Sequence, residues 1–242
     1  MSTKLAIIEI DGTLYRWQLV HEIVFTLKRR GVFTDEAAKS LDDAYTGWLA
    51  RALPYKSYES KVVHTLIDSL PDIPPRLFDE VAQEVANKSG RKTYVYTLRL
   101  IKQLKQRGYL LVALSGSQQE VAELFAGQYG FDDCIGSLYE RKDGKFTGKL
   151  LRDVPGNKDV IIKEYAAKHG YSLKDSVAVG DSGSDVSILK LVDNPIAFNP
   201  DSNLYSIAIL NGWKVVLERK NMIYTLQPGP NGQYVLTYAD QH

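Results

Sequence analysis

The feature that most constrains the fold is a series of short, mostly apolar runs separated by amphipathic helical segments. The first run is residues 4–10 (KLAIIEI), and the others are 109–116 (YLLVALSG), 176–180 (SVAVG), 195–199 (PIAFN) and 213–217 (WKVVL). Strands with apolar residues on both faces are typical of parallel sheets, which helices cover on each side. The sequence therefore predicts an α/β fold built on a parallel sheet.

A long helical insertion separates the first run from the second. From about residue 16 to residue 90 the apolar residues repeat with a helical period, and prolines divide the region into four segments. We expect this insertion to lie over the carboxyl ends of the strands, where open α/β sheets bind ligands. The predicted organisation is a core of residues 1–15 and 91–242 and a helical cap of residues 16–90. Two hairpins are also predicted, one within residues 134–150 and one near the end of the chain.

The composition of the chain argues against several classes of function, among them nucleic-acid binding. The 242 residues carry 30 Lys and Arg against 29 Asp and Glu, which gives no basic surface of the kind that binds nucleic acid. The one cysteine, Cys134, cannot form an intramolecular disulfide and is interpreted as a small packing residue. No signal peptide and no membrane-spanning run is recognised. We expect a cytoplasmic protein without a nucleic-acid or membrane partner, and the sequence does not indicate an oligomeric state.

The segment Glu9-Ile10-Asp11-Gly12-Thr13 places two carboxylates at the end of the first predicted strand. Residues two apart on a strand point to the same face, so Glu9 and Asp11 could share a metal ion and a substrate. An Asp-Gly strand end followed by a threonine cap would explain the same residues without any chemistry. Taken alone, the segment leaves both interpretations open.

Three further polar positions follow a predicted strand or begin a predicted helix. Ser115-Gly116 offers a hydroxyl and a backbone that phosphate can approach closely, although Ser-Gly is also an ordinary loop. Lys158 could neutralise phosphate charge at a helix N-terminus, although most such lysines are solvated. Asp181 and Asp185 flank a glycine-containing loop and offer the hard oxygen ligands that Mg²⁺ takes. Asp181 or Ser184 could instead cap a helix.

Taken together, these four positions resemble the motifs of the haloacid dehalogenase superfamily of phosphohydrolases, within it the phosphoserine-phosphatase-like group. In that group a helical bundle is inserted between the first and second motifs, as residues 16–90 are here. The resemblance implies a Rossmann-like core, an all-helical cap and Mg²⁺-dependent hydrolysis of a small phosphorylated metabolite through an acyl-phosphate intermediate.

The resemblance also implies a role for each motif residue. Glu9 corresponds to the nucleophile, and Asp11 to the acid that protonates the leaving alcohol and then activates water. Glu9, the main-chain carbonyl of Asp11 and Asp181 would hold Mg²⁺, while Asp185 would support the metal shell and the lysine. The phosphoryl oxygens would be held by Thr13, Ser115, Gly116 and Lys158. In this scheme metal and lysine neutralise the phosphoryl charge, and the paired carboxylates divide attack from proton transfer.

Glu9 is the main departure from the family, which has aspartate there; Ser184 in place of a frequent asparagine is a modest change. Glutamate keeps the charge but moves the carboxylate forward by about 1.5 Å, and a misplacement of about 1 Å can lower a rate roughly a hundredfold. The chain is then an impaired phosphatase, or a catalytically silent phosphate-ligand binding protein on the same scaffold. A salt bridge between Glu9 and Lys158 is a further alternative that does not exclude catalysis.

The residues after the first motif lead into the predicted cap. Arg16 and Gln18 could face a substrate, whereas Trp17 is interpreted as a contact that packs the cap against the core. Trp48 and His64 have no diagnostic spacing and are interpreted as packed or solvated.

Overall fold

A computed structural model describes residues 3–241 of the chain. Its nine strands are β1 (Lys4–Glu9), β2 (Leu110–Gln118), β3 (Asp133–Lys142), β4 (Lys145–Arg152), β5 (Ser172–Gly180), β6 (Asn194–Phe198), β7 (Lys214–Arg219), β8 (Met222–Pro228) and β9 (Tyr234–Gln241). Its α-helices are α1 (Leu19–Arg29), α2 (Asp35–Leu49), α3 (Tyr55–Ser69), α4 (Pro75–Ser89), α5 (Val95–Gln106), α6 (Gln119–Gly127), α7 (Lys158–His169), α8 (Val186–Leu189) and α9 (Ser202–Asn211). None of the helices within residues 3–241 is both long enough and apolar enough to cross a bilayer.

The strands form one sheet in the order β4-β3-β2-β1-β5-β6-β7-β8-β9. The six strands from β3 to β7 in this order pair in parallel, and antiparallel hairpins extend the sheet at both ends. Ile7 of β1 lies opposite Val112 of β2 on one side and Ala178 of β5 on the other. The predicted α/β class and both predicted hairpins are confirmed. The carboxyl end of β1 lies at the middle of the sheet.

The alternation of side chains along β1 divides the core into two layers. Ala6 and Ile8 point to the face covered by the four insertion helices, α5 and α6, while Leu5 and Ile7 point to the face covered by α7, α8 and α9. All four side chains are fully buried. Since burial of one such aliphatic side chain stabilises a fold by roughly 2 kcal/mol, β1 is held firmly from both faces. This fixes the position of the polar residues that follow it.

The insertion between β1 and α5 is helical throughout, as predicted. The chain enters it after residue 15 and leaves it near residue 92, and the two crossings lie side by side. The amide of Arg16 donates to the carbonyl of Lys92 at 2.8 Å, and the amide of Tyr94 donates to the carbonyl of Leu14 at 3.0 Å. The domain boundaries at residues 15/16 and 90/91 stay predictions.

Several strand ends differ from the sequence prediction; β5, for example, begins at Ser172, four residues before the predicted run 176–180. β2 continues two residues beyond Gly116, because Gln118 still pairs with Ser137 of β3 after a shift of register. Between β5 and β6 the chain forms a short 3₁₀ turn, Gly183–Asp185, followed by the four-residue α8.

Candidate active site

Glu9, the last residue of β1, contacts the ammonium group of Lys158 at the start of α7. The same ammonium donates to the Asp185 carboxylate at 2.6 Å and approaches the Ser184 hydroxyl at 3.3 Å. Glu9 is 3% exposed, Lys158 4% and Asp185 0%, so this cluster is removed from water. The salt bridge between Glu9 and Lys158 that the sequence left open is therefore formed.

The buried carboxylates of Glu9 and Asp185 share the single ammonium group of Lys158. Burial raises the pKa of Glu9 well above its usual range, although the neighbouring Lys158 works in the opposite direction. For Lys158, burial alone would lower the pKa, but the charges of Asp185 and Glu9 raise it. The lysine therefore stays charged, and it cannot compensate both carboxylates at once.

Asp11 is held differently, by neutral donors only. Its carboxylate accepts hydrogen bonds from the Leu19 amide at 2.5 Å, the Ser115 hydroxyl at 2.5 Å and the Ser117 hydroxyl at 3.0 Å. Burial raises the pKa of Asp11, and these hydrogen bonds oppose the rise. The Ser117 hydroxyl also accepts from the Val20 amide at 3.0 Å, so the first turn of α1 is bonded directly to this carboxylate and its support. Ser115, predicted to bind phosphate, has its hydroxyl directed to Asp11.

Thr13 and Gly12 position Asp181, which follows β5. The Thr13 hydroxyl donates to one oxygen of Asp181 at 3.0 Å, and Thr13 is fully buried. Gly12 has φ +80°, and a Cβ atom there would lie 2.2 Å from the other oxygen of Asp181. Glycine is required here both for this backbone conformation and for the approach of the Asp181 carboxylate to the peptide that follows Asp11.

The loop after Asp181 is closed by Asp185 and Ser182. One Asp185 oxygen accepts from the amides of Asp181 at 3.1 Å and Ser182 at 3.0 Å, and from the Ser182 hydroxyl at 3.1 Å. Ser182 is the N-cap of the short helical turn, with a reciprocal bond pattern to Asp185. The capping role considered for Asp181 or Ser184 therefore belongs to Ser182. The Asp181 carboxylate remains available for other partners.

The arrangement fits a divalent cation held by few protein oxygens. Among residues 3–241, no group of three or more histidine, cysteine, aspartate or glutamate side chains is placed to hold a metal ion. The predicted set needs only two such side chains, because Asp11 contributes its main-chain carbonyl. Within the described part of the chain that carbonyl, Oε1 of Glu9 and Oδ2 of Asp181 accept no hydrogen bond. Burial and the Asp185 charge raise the pKa of Asp181, while the Thr13 hydrogen bond and the Lys158 charge oppose the rise.

The other residues predicted to act in the site are described by the neighbours that they contact. Gly116 lies against Pro155, since a Cβ atom would come within 3.1 Å of its ring, and the Gly116 carbonyl accepts from the Ser137 hydroxyl at 2.9 Å. The guanidinium of Arg16 lies 5.0 Å from the centre of the Tyr94 ring. The Trp17 ring packs 5.5 Å from that of Trp48 on α2, which is a contact within the predicted cap, so the packing of Trp17 between cap and core stays a prediction.

Sequence reasoning missed Ser117 and Ser182. Ser117 lies two residues after Ser115, and the period of a strand places both hydroxyls on the same side as Asp11. The Ser182-Gly-Ser-Asp185 spacing is that of a capping box. Both signals were present in the sequence.

Comparison with known proteins identifies relatives of the fold and of the motifs. The sequence model of the haloacid dehalogenase-like hydrolase family matches residues 6–190. The phosphoserine phosphatase of Methanocaldococcus jannaschii is 27% identical over 197 residues, which cover 81% of this chain and 85% of that protein. The phosphoserine phosphatase of Streptomyces coelicolor is 26% identical over 198 residues, 81% of this chain but 44% of that protein. This chain thus spans most of the first relative and less than half of the second.

Two solved structures share the fold. A Bordetella pertussis protein of unknown function aligns with a TM-score of 0.73 and 23% identity over 89% of this chain and 98% of that one. A phosphoserine phosphatase carrying a phospho-aspartyl intermediate analogue aligns with a TM-score of 0.59 and 23% identity over 91% and 95% of the two chains. The Rossmann-like core with an inserted helical cap, predicted from the motifs, is confirmed.

Proposed function

Because the chain belongs to the haloacid dehalogenase-like hydrolase family, as a phosphoserine-phosphatase-like member, we propose that it hydrolyses a small phosphate monoester with Glu9 as the attacking group. The observation that carries this proposal is the unequal environment of the two carboxylates at the end of β1. Glu9 contacts an ammonium group, whereas Asp11 contacts only hydroxyl and amide donors. Two carboxylates in such different surroundings are suited to different roles, attack on phosphorus and transfer of a proton.

The chemical steps follow from these surroundings. A Glu9 oxygen attacks phosphorus, the bond from phosphorus to the alcohol oxygen breaks, and Asp11 gives its proton to the departing alcohol. In the second step Asp11 takes a proton from water, the water oxygen attacks phosphorus, and the Glu9 carboxylate is released with inorganic phosphate. The raised pKa of Asp11 favours the proton-bearing form that the first step needs. Lys158 neutralises charge on the phosphoryl oxygens, and Asp185 keeps it in place through their 2.6 Å contact.

Mg²⁺ would be held by Glu9, the main-chain carbonyl of Asp11 and Asp181. When bound, it supplies positive charge that offsets the negative charge of the phosphoryl group. The excess of carboxylate over cationic groups in the site supports this assignment.

The direct test is phosphate release from a panel of phosphorylated metabolites, measured with Mg²⁺ and with a chelator. We expect hydrolysis only with Mg²⁺, and a loss of about a hundredfold or more in kcat for Asp11→Asn, since general acid–base catalysis contributes that much. Asp43→Asn at an exposed position of α2 is the matched control and should keep full activity. Unchanged turnover in Asp11→Asn or in chelator would refute the proposal.

A catalytically silent phosphate-ligand binding protein is the second candidate. The observation that favours it is the Glu9–Lys158 contact, which engages the carboxylate with the lysine assigned to the phosphoryl group. This candidate predicts micromolar binding of a phosphate ligand without turnover, and the same behaviour after Glu9→Asp. Turnover of any panel compound by the unaltered chain would exclude it.

A further inference from the structure

A group of aromatic rings lies in the helical insertion directly after the first motif. We call Trp17, His21, Trp48, Tyr55 and Tyr58 the cap aromatic cluster. Trp48 stacks on Tyr58 at 5.1 Å with an interplanar angle of 3°, and its ring centre lies 5.5 Å from that of Trp17 and 5.7 Å from that of Tyr55. Trp17, Trp48 and Tyr55 are only partly buried, so the cluster keeps an accessible side.

The cluster adjoins the carboxylate that serves the leaving group. The amide of Gly12 donates to the carbonyl of Trp17 at 3.1 Å, and two residues later the Leu19 amide donates to the Asp11 carboxylate at 2.5 Å. Burial raises the pKa of Tyr55, and the negative charges of Asp11 and Asp181 add to the rise. In the proposed reaction Asp11 protonates the departing oxygen, so the alcohol part of the substrate would leave beside Asp11, where the segment from Trp17 to Leu19 adjoins it.

A carboxylate accompanies the rings. Glu59 is one helical turn beyond Tyr55 on α3, on the same face of the helix. Glu59 is partly buried, and within residues 3–241 no lysine, arginine or histidine forms an ion pair with it. Burial and the charge of Asp11 raise its pKa, while Lys56 has a smaller opposite effect. The cap side of the site thus offers a carboxyl group that has no ion-pair partner among residues 3–241.

His21 does not supply that cation. It is fully buried, burial lowers its pKa to about 4, and neither ring nitrogen has a hydrogen-bond partner among the described residues. At neutral pH it is an uncharged ring within the cluster. The cluster therefore combines aromatic faces with one uncompensated carboxylate, a combination that binds alkylated ammonium groups.

We propose that the cap aromatic cluster and Glu59 recognise an alkylated ammonium group, so that the substrate is the phosphate monoester of a trialkylammonium alcohol. Such a cation has no N–H to donate and is stabilised by aromatic faces and a nearby negative charge. A carboxylate on the same alcohol would be repelled by an ionised Glu59. This inference rests on the proposed function, because it names the substrate of the same site.

The decisive comparison uses two esters of the same shape. Phosphocholine and 3,3-dimethylbutyl phosphate differ by one charge at a quaternary centre, and phosphoethanolamine and phosphoserine complete the set. We expect kcat/KM for phosphocholine to exceed that for the neutral isostere at least tenfold and to exceed that for phosphoserine. Equal values for the two isosteres, or a preference for phosphoserine, would overturn the substrate class while leaving the phosphatase function intact.

Variants connect the preference to the assigned residues. Glu59→Gln and Trp48→Leu should each lower the ratio of phosphocholine to isostere kcat/KM at least fivefold, whereas Glu36→Gln, an exposed site on α2, should leave the ratio unchanged. An unaltered ratio in Glu59→Gln, a conservative change on the accessible side, would refute the assignment even where Trp48→Leu fails to fold.

A binding measurement separates this inference from the proposed function. Choline alone should quench tryptophan fluorescence saturably, and Trp48→Leu should lose most of the response. Saturable choline binding without hydrolysis of any ester would support the cation site and reject the phosphatase. Hydrolysis of esters without any response to choline would do the reverse.

Discussion

Shortening Glu9 to aspartate tests the central geometric claim about the site. The backbone at this position is fixed, because Glu9 lies opposite Leu114 of β2 and the residue before it opposite Val179 of β5. The substitution therefore withdraws the carboxylate along its own side chain by about one carbon–carbon bond, roughly 1.5 Å. The charge is kept, and Lys158 stays in place through its 2.6 Å bond to Asp185.

We expect Glu9→Asp to raise phosphatase activity at least about tenfold, which corresponds to about 1.4 kcal/mol off the barrier. A misplacement near 1 Å can cost about a hundredfold, and part of the gain is offset because the shorter side chain contacts Lys158 less closely. The gain should appear mainly in kcat, since phosphate and metal binding use groups already present while in-line attack depends on the position of the carboxylate oxygen.

The assay is steady-state phosphate release with Mg²⁺ on each active panel compound, with Glu9→Gln as the matched control. The amide keeps the length of the side chain but removes the nucleophile, so its activity should fall below that of the unaltered chain. A beryllofluoride adduct at residue 9 should form more readily in Glu9→Asp. If Glu9→Asp is no faster on any substrate, the carboxylate is not misplaced, and glutamate is a competent nucleophile or turnover does not depend on this residue.

Three further predictions concern pH, backbone and metal. Burial lowers the pKa of His21 to about 4, so the unfolded chain binds a proton at this residue more readily than the folded protein, and the protein loses stability as the pH falls from about 6.5 towards 4. In His21→Phe, denaturant titrations should show a loss of unfolding free energy over this pH range that is smaller by about 3 kcal/mol. An equal loss in the variant and the unaltered protein would contradict this. Gly12→Ala should lower the free energy of unfolding by at least about 2 kcal/mol in denaturant melts because a Cβ would meet Asp181, whereas Gly31→Ala, with positive φ but open space, should cost about 1 kcal/mol. Calorimetry should show Mg²⁺ affinity at least about tenfold weaker in Asp181→Ala, and unchanged affinity would remove Asp181 from the metal site.

The sheet was predictable because its signal is local. Five of the six parallel strands appear in the sequence as apolar runs, and the Asp11-Gly12 pair that follows β1 indicates its end. The hairpin between β3 and β4 was predictable for the same reason, since Asp143 and Gly144 both adopt positive φ, at 51° and 75°, as such a turn requires. The extent of β2 was not, because its last two residues are held by pairing with β3 rather than by their own pattern.

The charged residues of the site could be predicted from their spacing. Which hydrogen-bond donor contacts which carboxylate could not. The sequence indicated that Glu9 and Asp11 share one face of a strand. It could not show that Lys158 would contact Glu9 and leave Asp11 to hydroxyl donors, since that choice depends on where α7 begins relative to β1. The cap residues were harder still to predict from the sequence, because Trp48 and Glu59 lie on different helices and no periodicity links either of them to Asp11.

Part of the hydrogen-bond environment of Asp11 comes from main-chain groups, which side-chain motifs cannot predict. Of its three donors, one is the main-chain amide of Leu19, and any residue other than proline at that position would provide it. The amide is aimed at the carboxylate because α1 starts there, and the next amide, from Val20, is bonded to Ser117, which itself donates to Asp11. The start of the first cap helix is therefore part of the carboxylate's hydrogen-bond shell. Any displacement of α1 from the core removes the Leu19 amide from Asp11 and the Val20 amide from Ser117, so the proton affinity of Asp11 and the position of the cap are physically coupled through backbone groups that carry no sequence signature.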